Sequence, residues 1–96
     1  NVENMEYMFF RSKFNGDISN WDVSNVTNMM GMFAYSKFKG DIYGWDVSNV
    51  EDMRSMFYNS EFDRDISNWD VLSCKVMSNM FYNSPLEKNP PKWYKK

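Results

Sequence analysis

The tripeptide Trp-Asp-Val stands at Trp21-Asp22-Val23, at Trp45-Asp46-Val47 and at Trp69-Asp70-Val71, each copy 24 residues after the last. Trp93 keeps the interval once more, and three other columns obey it: Met5/Met29/Met53/Met77, Met8/Met32/Met56/Met80 and Phe9/Phe33/Phe57/Phe81. Ile18, Ile42 and Ile66 do the same. A chain with one such period is built from like units that cannot bury their apolar faces alone and must stack on their neighbours. The 96 residues divide into units 1–24, 25–48, 49–72 and 73–96, a single repeat domain that reads as a fragment of a longer array.

Within the second unit Val26, Met29, Met32 and Phe33 fall at helical spacing, which predicts a short helix with one apolar face. Ser24 stands where an N-cap belongs, and Ser48 followed by Glu51 has the form of a capping box. After Gly40-Asp41, a turn signal, Ile42, Trp45 and Val47 alternate with polar residues, which predicts a short strand pairing in parallel with its equivalents at about 4.8 Å. Unit four departs from the pattern: Pro85, then Asn89-Pro90-Pro91, then Tyr94-Lys95-Lys96 replace turn and strand residues. Proline cannot donate to a further strand and lysine discourages edge pairing, so this unit reads as a C-terminal cap. Nothing comparable closes unit one. Its Met5, Met8, Phe9, Phe14, Ile18, Trp21 and Val23 are expected to present an open end, where further units or a second copy would pack; self-association is expected through residues 1–24.

The whole motif, Asn-Val-x-x-Met-x-x-Met-Phe-x-x-Ser-x-Phe-x-x-Asp-Ile-x-x-Trp-Asp-Val-Ser, resembles the BspA-like leucine-rich-repeat surface proteins, in the form also found among mycoplasma-type surface lipoproteins. The resemblance covers essentially the whole chain and implies a leucine-rich-repeat solenoid, an extracellular or cell-surface location and a role in adhesion. Against the general leucine-rich pattern, Ile42, Trp45 and Val47 take the first three apolar positions while Val50 stands where asparagine would. The expected architecture is an α/β, leucine-rich-repeat-like, right-handed solenoid in which every unit contributes one short helix and one short strand to a parallel sheet.

Charge and composition narrow the function. Residues 1–72 carry six Lys/Arg against twelve Asp/Glu, and residues 73–96 carry five against one. An acidic body lacks the basic stripe that nucleic acid requires. No apolar run reaches the roughly 18 residues of a membrane span, so no membrane insertion is expected in this segment. There is no histidine, which removes His-based triads, and the one cysteine, Cys74, shares a column with Val2, Val26 and Val50 and reads as a buried hydrophobe. The carboxylates recur in every unit, whereas a catalytic pair is normally unique with two different environments. The chain is therefore expected not to be an enzyme and to need no cofactor.

Binding residues are sought among the columns. Asp22, Asp46 and Asp70 are expected to line up on the strand-bearing face, either as a ligand surface or as acceptors for loop groups such as Ser24 and Ser48. Asp17, Asp41 and Asp65 follow or replace the Gly-Asp turn and fit side chains that bond their own backbone two residues on. No dense Asp/Asn/Gly loop suits calcium. The tryptophans alternate in phase with Ile and Val and are assigned to the core, each burying on the order of 150–250 Å². Phe10, Tyr35, Tyr43, Tyr58 and Tyr82 lie off the core columns, and aromatic residues of this kind are enriched at interaction hot spots. The candidate ligand-binding set is Asp22, Asp46, Asp70, Tyr43, Ser24 and Ser48, with a protein or glycan as partner; the rival expectation is a structural spacer or assembly element.

Overall fold

The computed structural model describes residues 3–94. Each unit begins not with a helix but with a run of tight turns. In unit one these close through Met8 N–H to Met5 O at 3.2 Å, Phe10 N–H to Tyr7 O at 3.1 Å and Ser12 N–H to Phe9 O at 3.0 Å. The amides between them face the next unit: Met5, Tyr7, Phe9 and Arg11 donate to the carbonyls of Asn28, Met30, Met32 and Ala34 at 2.9–3.0 Å. Units two and three repeat the arrangement, Met29, Gly31, Phe33 and Tyr35 donating forward to unit three, and Met53, Ser55, Phe57 and Asn59 to unit four. Alternate amides thus serve the local turn and the neighbouring unit.

This alternation needs left-handed backbone at fixed places. Positive φ occurs at Tyr7, Gly31, Ser55 and Asn79 in one column and at Arg11, Tyr35, Asn59 and Asn83 in another, with values of 53–63°. Each column supplies the third residue of a turn whose last amide bonds back, the position that calls for positive φ in a type II turn and favours Gly or Asn. Four of the eight residues are Gly or Asn. At Gly31 a second constraint acts, because a Cβ there would lie 2.4 Å from the Tyr7 ring. The glycine therefore makes room for its neighbour as well as for its own φ.

The α/β expectation is overturned. Among the described residues there is no α-helix and no strand; one 3₁₀ turn covers Pro85–Glu87, and only isolated parallel bridges, Asn4 to Asn28 to Asp52 to Val76, run between units. The leucine-rich-repeat solenoid of helix and strand falls with them. The physical reason is that the helical spacing of Val26, Met29, Met32 and Phe33 reports only that they share an inner side, and all four are fully buried. A succession of turns produces the same spacing while sending half its amides outward. Ser24 and Ser48 consequently cap no helix. Their hydroxyls donate instead to Asp22 and Asp46, each at 2.6 Å.

Trp-Asp-Val is not a strand either. Trp45 N–H bonds Ile42 O and Val50 N–H bonds Val47 O, so this half of the unit is also made of turns. Besides the backbone bonds from Lys37 to Ser12 and from Glu61 to Ser36, its connection to the preceding unit comes from side chains: the indole N–H of Trp45, Trp69 and Trp93 donates to the carbonyls of Ile18, Ile42 and Ile66 at 3.1, 3.1 and 2.9 Å.

The core lies between the two halves. Phe9, Phe33, Phe57 and Phe81 form a file with centroid steps of 5.4, 5.6 and 5.7 Å and nearly parallel rings. Phe38 and Phe62 stack beside it, each against the Phe of its own unit. Cys74 is half-buried against this core and donates through its thiol to Val76 O at 3.3 Å. Val2, Lys95 and Lys96, drawn into the sequence reading, lie outside the described residues. At the C-terminal end Tyr94 meets Phe81 edge-on at 4.9 Å and Leu86 and Trp93 pack against the same core.

Candidate interaction face

Each aspartate of the Trp-Asp-Val column closes a turn of its own chain. Asp22 Oδ1 accepts from the Ser24 amide at 3.0 Å and Asp46 Oδ1 from the Ser48 amide at 3.0 Å, in addition to the two hydroxyls. In unit three Ser is replaced by Leu72, which is 92% exposed, and Asp70 keeps only the Leu72 amide at 3.1 Å. Asp17, Asp41 and Asp65 repeat the device with the amides of Ser19, Tyr43 and Ser67 at 2.8–2.9 Å. Hydrogen bonds from the serine hydroxyl and then its amide hold Asp17, Asp22, Asp46 and Asp65 below the usual carboxylate range. Both columns are exposed, and one oxygen of every carboxylate is committed to its own loop. Tyr43 is 44% exposed, and its amide is tied to Asp41. The structure does not join its ring to the Asp46 column. Among the described residues no three His, Cys, Asp or Glu side chains are grouped as metal ligands.

The other face, carrying the turns of alternating amides, does bring side chains together. Tyr7 and Phe10 meet edge to face at 5.5 Å and Phe10 and Tyr35 at 5.7 Å; Tyr35 and Tyr58 lie tilted at 5.7 Å, and Tyr58 and Tyr82 stack at 5.1 Å. Five rings thus form an unbroken row across all four units. Tyr7, Phe10, Tyr35 and Tyr82 are each 39–50% exposed, whereas Phe33, Phe57 and Phe81 of the inner file are buried. The Arg11 guanidinium lies 5.3 Å from the Phe10 ring centre and 4.9 Å from that of Tyr35, an attraction of charge to ring face. Burial, then the neighbouring Tyr35 and Tyr82, pushes the Tyr58 phenol up from its ordinary value. Beside the row, Arg54 forks onto Asp52, with its Nη2 2.8 Å from Oδ2. Burial raises the Asp52 carboxyl, but the Arg54 hydrogen bonds and charge outweigh it and the net shift is downward.

Of the off-core aromatics named from sequence, Phe10, Tyr35, Tyr58 and Tyr82 join this row and Tyr43 does not. Tyr7 was missed. Its signal was Gly31 one unit later, the one residue of that column with no side chain to obstruct the ring.

Fold and surface together define a class: a stack of turn-built 24-residue units, free of α-helix and sheet among its described residues, with an aromatic row exposed along one face. Within that class the chain belongs to the family described as "Mycoplasma protein of unknown function, DUF285", whose model matches residues 1–93. The mycoplasma side of the sequence resemblance therefore holds, and the match extends no further than that family. No curated protein and no solved structure matches the chain. No helix among the described residues is long and apolar enough to cross a membrane.

Proposed function

We propose that this chain is a non-catalytic recognition module that holds a protein partner on its aromatic face. The observation that carries the reading is the five-ring row from Tyr7 to Tyr82. Large amphipathic rings with few rotatable bonds, accompanied by arginine, are the residue types that dominate protein interfaces. A glycan is the weaker choice, because pyranose rings dock on open ring faces, whereas Tyr58 and Tyr82 are stacked on each other. The Asp22, Asp46 and Asp70 column, with Ser24, Ser48 and Tyr43, is assigned mainly to turn closure. Display at a cell surface, with a role in adhesion, is supported by the likeness of the 24-residue motif to BspA-like surface proteins.

The test uses two substitutions that copy residues already present in the same columns, Tyr35→Asn after Asn59 and Tyr58→Ala after Ala34. Wild type and the double variant are compared for binding to a panel of immobilised extracellular-matrix proteins and glycans. The expected result is protein binding weakened at least about tenfold with an unchanged melting profile. Unchanged binding, or binding confined to glycans, refutes the reading.

A second reading, self-assembly through unit one, is favoured by one observation. Met8, Phe14 and Trp21 are 40–43% exposed where their counterparts in units two and three are 0–4% exposed. Light scattering from micromolar to millimolar concentration decides it, a constant monomer mass removing it.

A further inference from the structure

An asparagine deamidates when the main-chain nitrogen of the next residue attacks its side-chain amide carbon, so a following amide already held in a hydrogen bond is kept out of the reaction. Nearly all the described asparagines are followed by such an amide. After Asn4 and Asn28, the N–H groups of Met5 and Met29 reach Asn28 O and Asp52 O at 2.9 Å. After Asn59 and Asn83, those of Ser60 and Ser84 close turns onto Phe57 O and Phe81 O at 3.1 and 3.2 Å. The amides after Asn20, Asn25, Asn49, Asn68 and Asn79 close turns in the same way, at 3.0–3.3 Å. Asn89 precedes Pro90, which has no N–H. Asn15 alone differs: among the described residues, the N–H of Gly16 that follows it has no acceptor. Its column otherwise holds Lys39, Asp63 and Glu87, so no other unit repeats the feature.

We infer that Asn15-Gly16 is a site of spontaneous covalent modification, at which the folded chain deamidates and forms an isoaspartyl link in the loop that joins unit one to unit two. Gly16 N attacks Asn15 Cγ and loses its proton, the Cγ–Nδ2 bond breaks, and ammonia leaves from the five-membered imide. The two groups are neighbours in one chain, so the attack is intramolecular. Water then opens the imide. Cleavage at Cγ gives aspartate, and cleavage at the main-chain carbonyl gives isoaspartate, whose backbone runs one carbon longer through Cγ. The site favours each step. Asn15 Oδ1 accepts from Lys39 N–H at 2.7 Å, which draws electron density from Cγ, and Nδ2 has no partner among the described residues. Gly16 has no Cβ to hinder ring closure; packing requires glycine there too, since a Cβ would lie 2.7 Å from the Phe14 ring. Asn15 is exposed, and a cavity of about 590 Å³ between Asn15-Gly16-Asp17 and Lys39-Gly40-Asp41 admits the water. In the isoaspartyl form the oxygen held by Lys39 becomes part of the main chain, so this bond between units is lost. The inference is independent of the recognition reading, because neither residue belongs to the aromatic row.

The test separates the fold from the dipeptide. The full chain is incubated at neutral pH beside acetylated, amidated peptides of residues 12–19 and 56–63, which carry Asn15 and Asn59 without the fold. Replacement of NH by O is located by mass mapping after digestion, and isoaspartate is counted by methyl transfer from a protein isoaspartyl methyltransferase. Folding should slow conversion at Asn59 by more than about tenfold, because Ser60 N–H must first leave its turn, and should slow Asn15 by less than that. Asn15→Gln should remove most of the methyl labelling. In the labelled product, Lys39 N–H should exchange with solvent at least about tenfold faster than in fresh protein. A slowing of Asn15 by tenfold or more overturns the inference. Equal protection of Asn15 and Asn59 does the same, since the free Gly16 amide would then count for nothing.

Discussion

Units one and two carry nearly the same columns, yet their side chains live in different surroundings. Met8, Phe14 and Trp21 are 43, 40 and 41% exposed; Met32, Phe38 and Trp45 are 0, 0 and 4% exposed. Burial here is conferred by the neighbour rather than by the residue, as expected where stability is a sum of unit and interface contributions. Other features ignore the neighbour. Asp22 in unit one and Asp46 in unit two bond their serines at the same distances, 3.0 Å to the amide and 2.6 Å to the hydroxyl. The molecule thus combines bonds that depend on stacking with bonds that are complete within a single unit.

Paired substitutions break or sharpen that contrast. The largest effect is expected from Phe57→Ala, which empties the middle of the ring file and should cost about 3–5 kcal/mol. Phe14→Ala in the exposed end should cost about 1 kcal/mol or less; chemical denaturation of both variants measures the gap, and equal losses would refute neighbour-conferred burial.

Trp45→Phe comes next. It keeps most of the apolar ring but strips the Ile18 carbonyl of its indole donor, worth about 1–3 kcal/mol when an acceptor is left unsatisfied. Trp21 has no such acceptor among the described residues, so Trp21→Phe should change stability by about 0.5 kcal/mol or less.

At the seam between the two units, Gly31→Ala should cost about 1–3 kcal/mol through positive φ and collision with the Tyr7 ring. In a Tyr7→Ala background the collision disappears. A double-mutant cycle should therefore show coupling, and additive losses would count against it.

The smallest effect concerns acid. Asp17, Asp22, Asp46 and Asp65 have folded pKa values depressed below the ordinary carboxylate value. The unfolded chain then binds protons first as pH falls, so the stabilisation is full above about pH 4 and is lost progressively below it as the folded values are passed. Asp22→Asn and Asp46→Asn keep the turn acceptor while removing the titration. Each should flatten the acid limb of a melting-temperature profile by a similar amount, unit one matching unit two. A larger change at Asp46 would mean that stacking strengthens even these local bonds.

Much of this was legible in the sequence. The period gave the columns, and the columns gave Met29, Met32, Phe33, Ile42, Trp45 and Val47 as core, all of them buried. The backbone path was not legible, because apolar residues three and four apart satisfy a helix and a chain of turns alike. The discriminating signal was faint: Gly31, Asn59, Asn79 and Asn83 stand at positions of positive φ, but Tyr7, Arg11, Tyr35 and Ser55 occupy the same two columns and obscure it. The aromatic row was partly visible as off-core residues. Its continuity was hidden, since Phe10, Tyr58 and Tyr82 share one column, which Ala34 interrupts, while Tyr7 and Tyr35 join the row from two other columns.

The forward-pointing amides also bear on how such a chain finds its shape. Among the described residues every hydrogen bond between units joins residues 23 to 27 positions apart, whether it runs from Met5 to Asn28 or from Trp93 to Ile66. Loop-closure entropy depends on the span enclosed, so each added unit meets the same closure cost as the one before, however long the array becomes. Only the first pair must close with no existing edge to receive it. Thereafter the chain should zip along a ready-made template, with a folding rate set by that initial encounter and nearly independent of length.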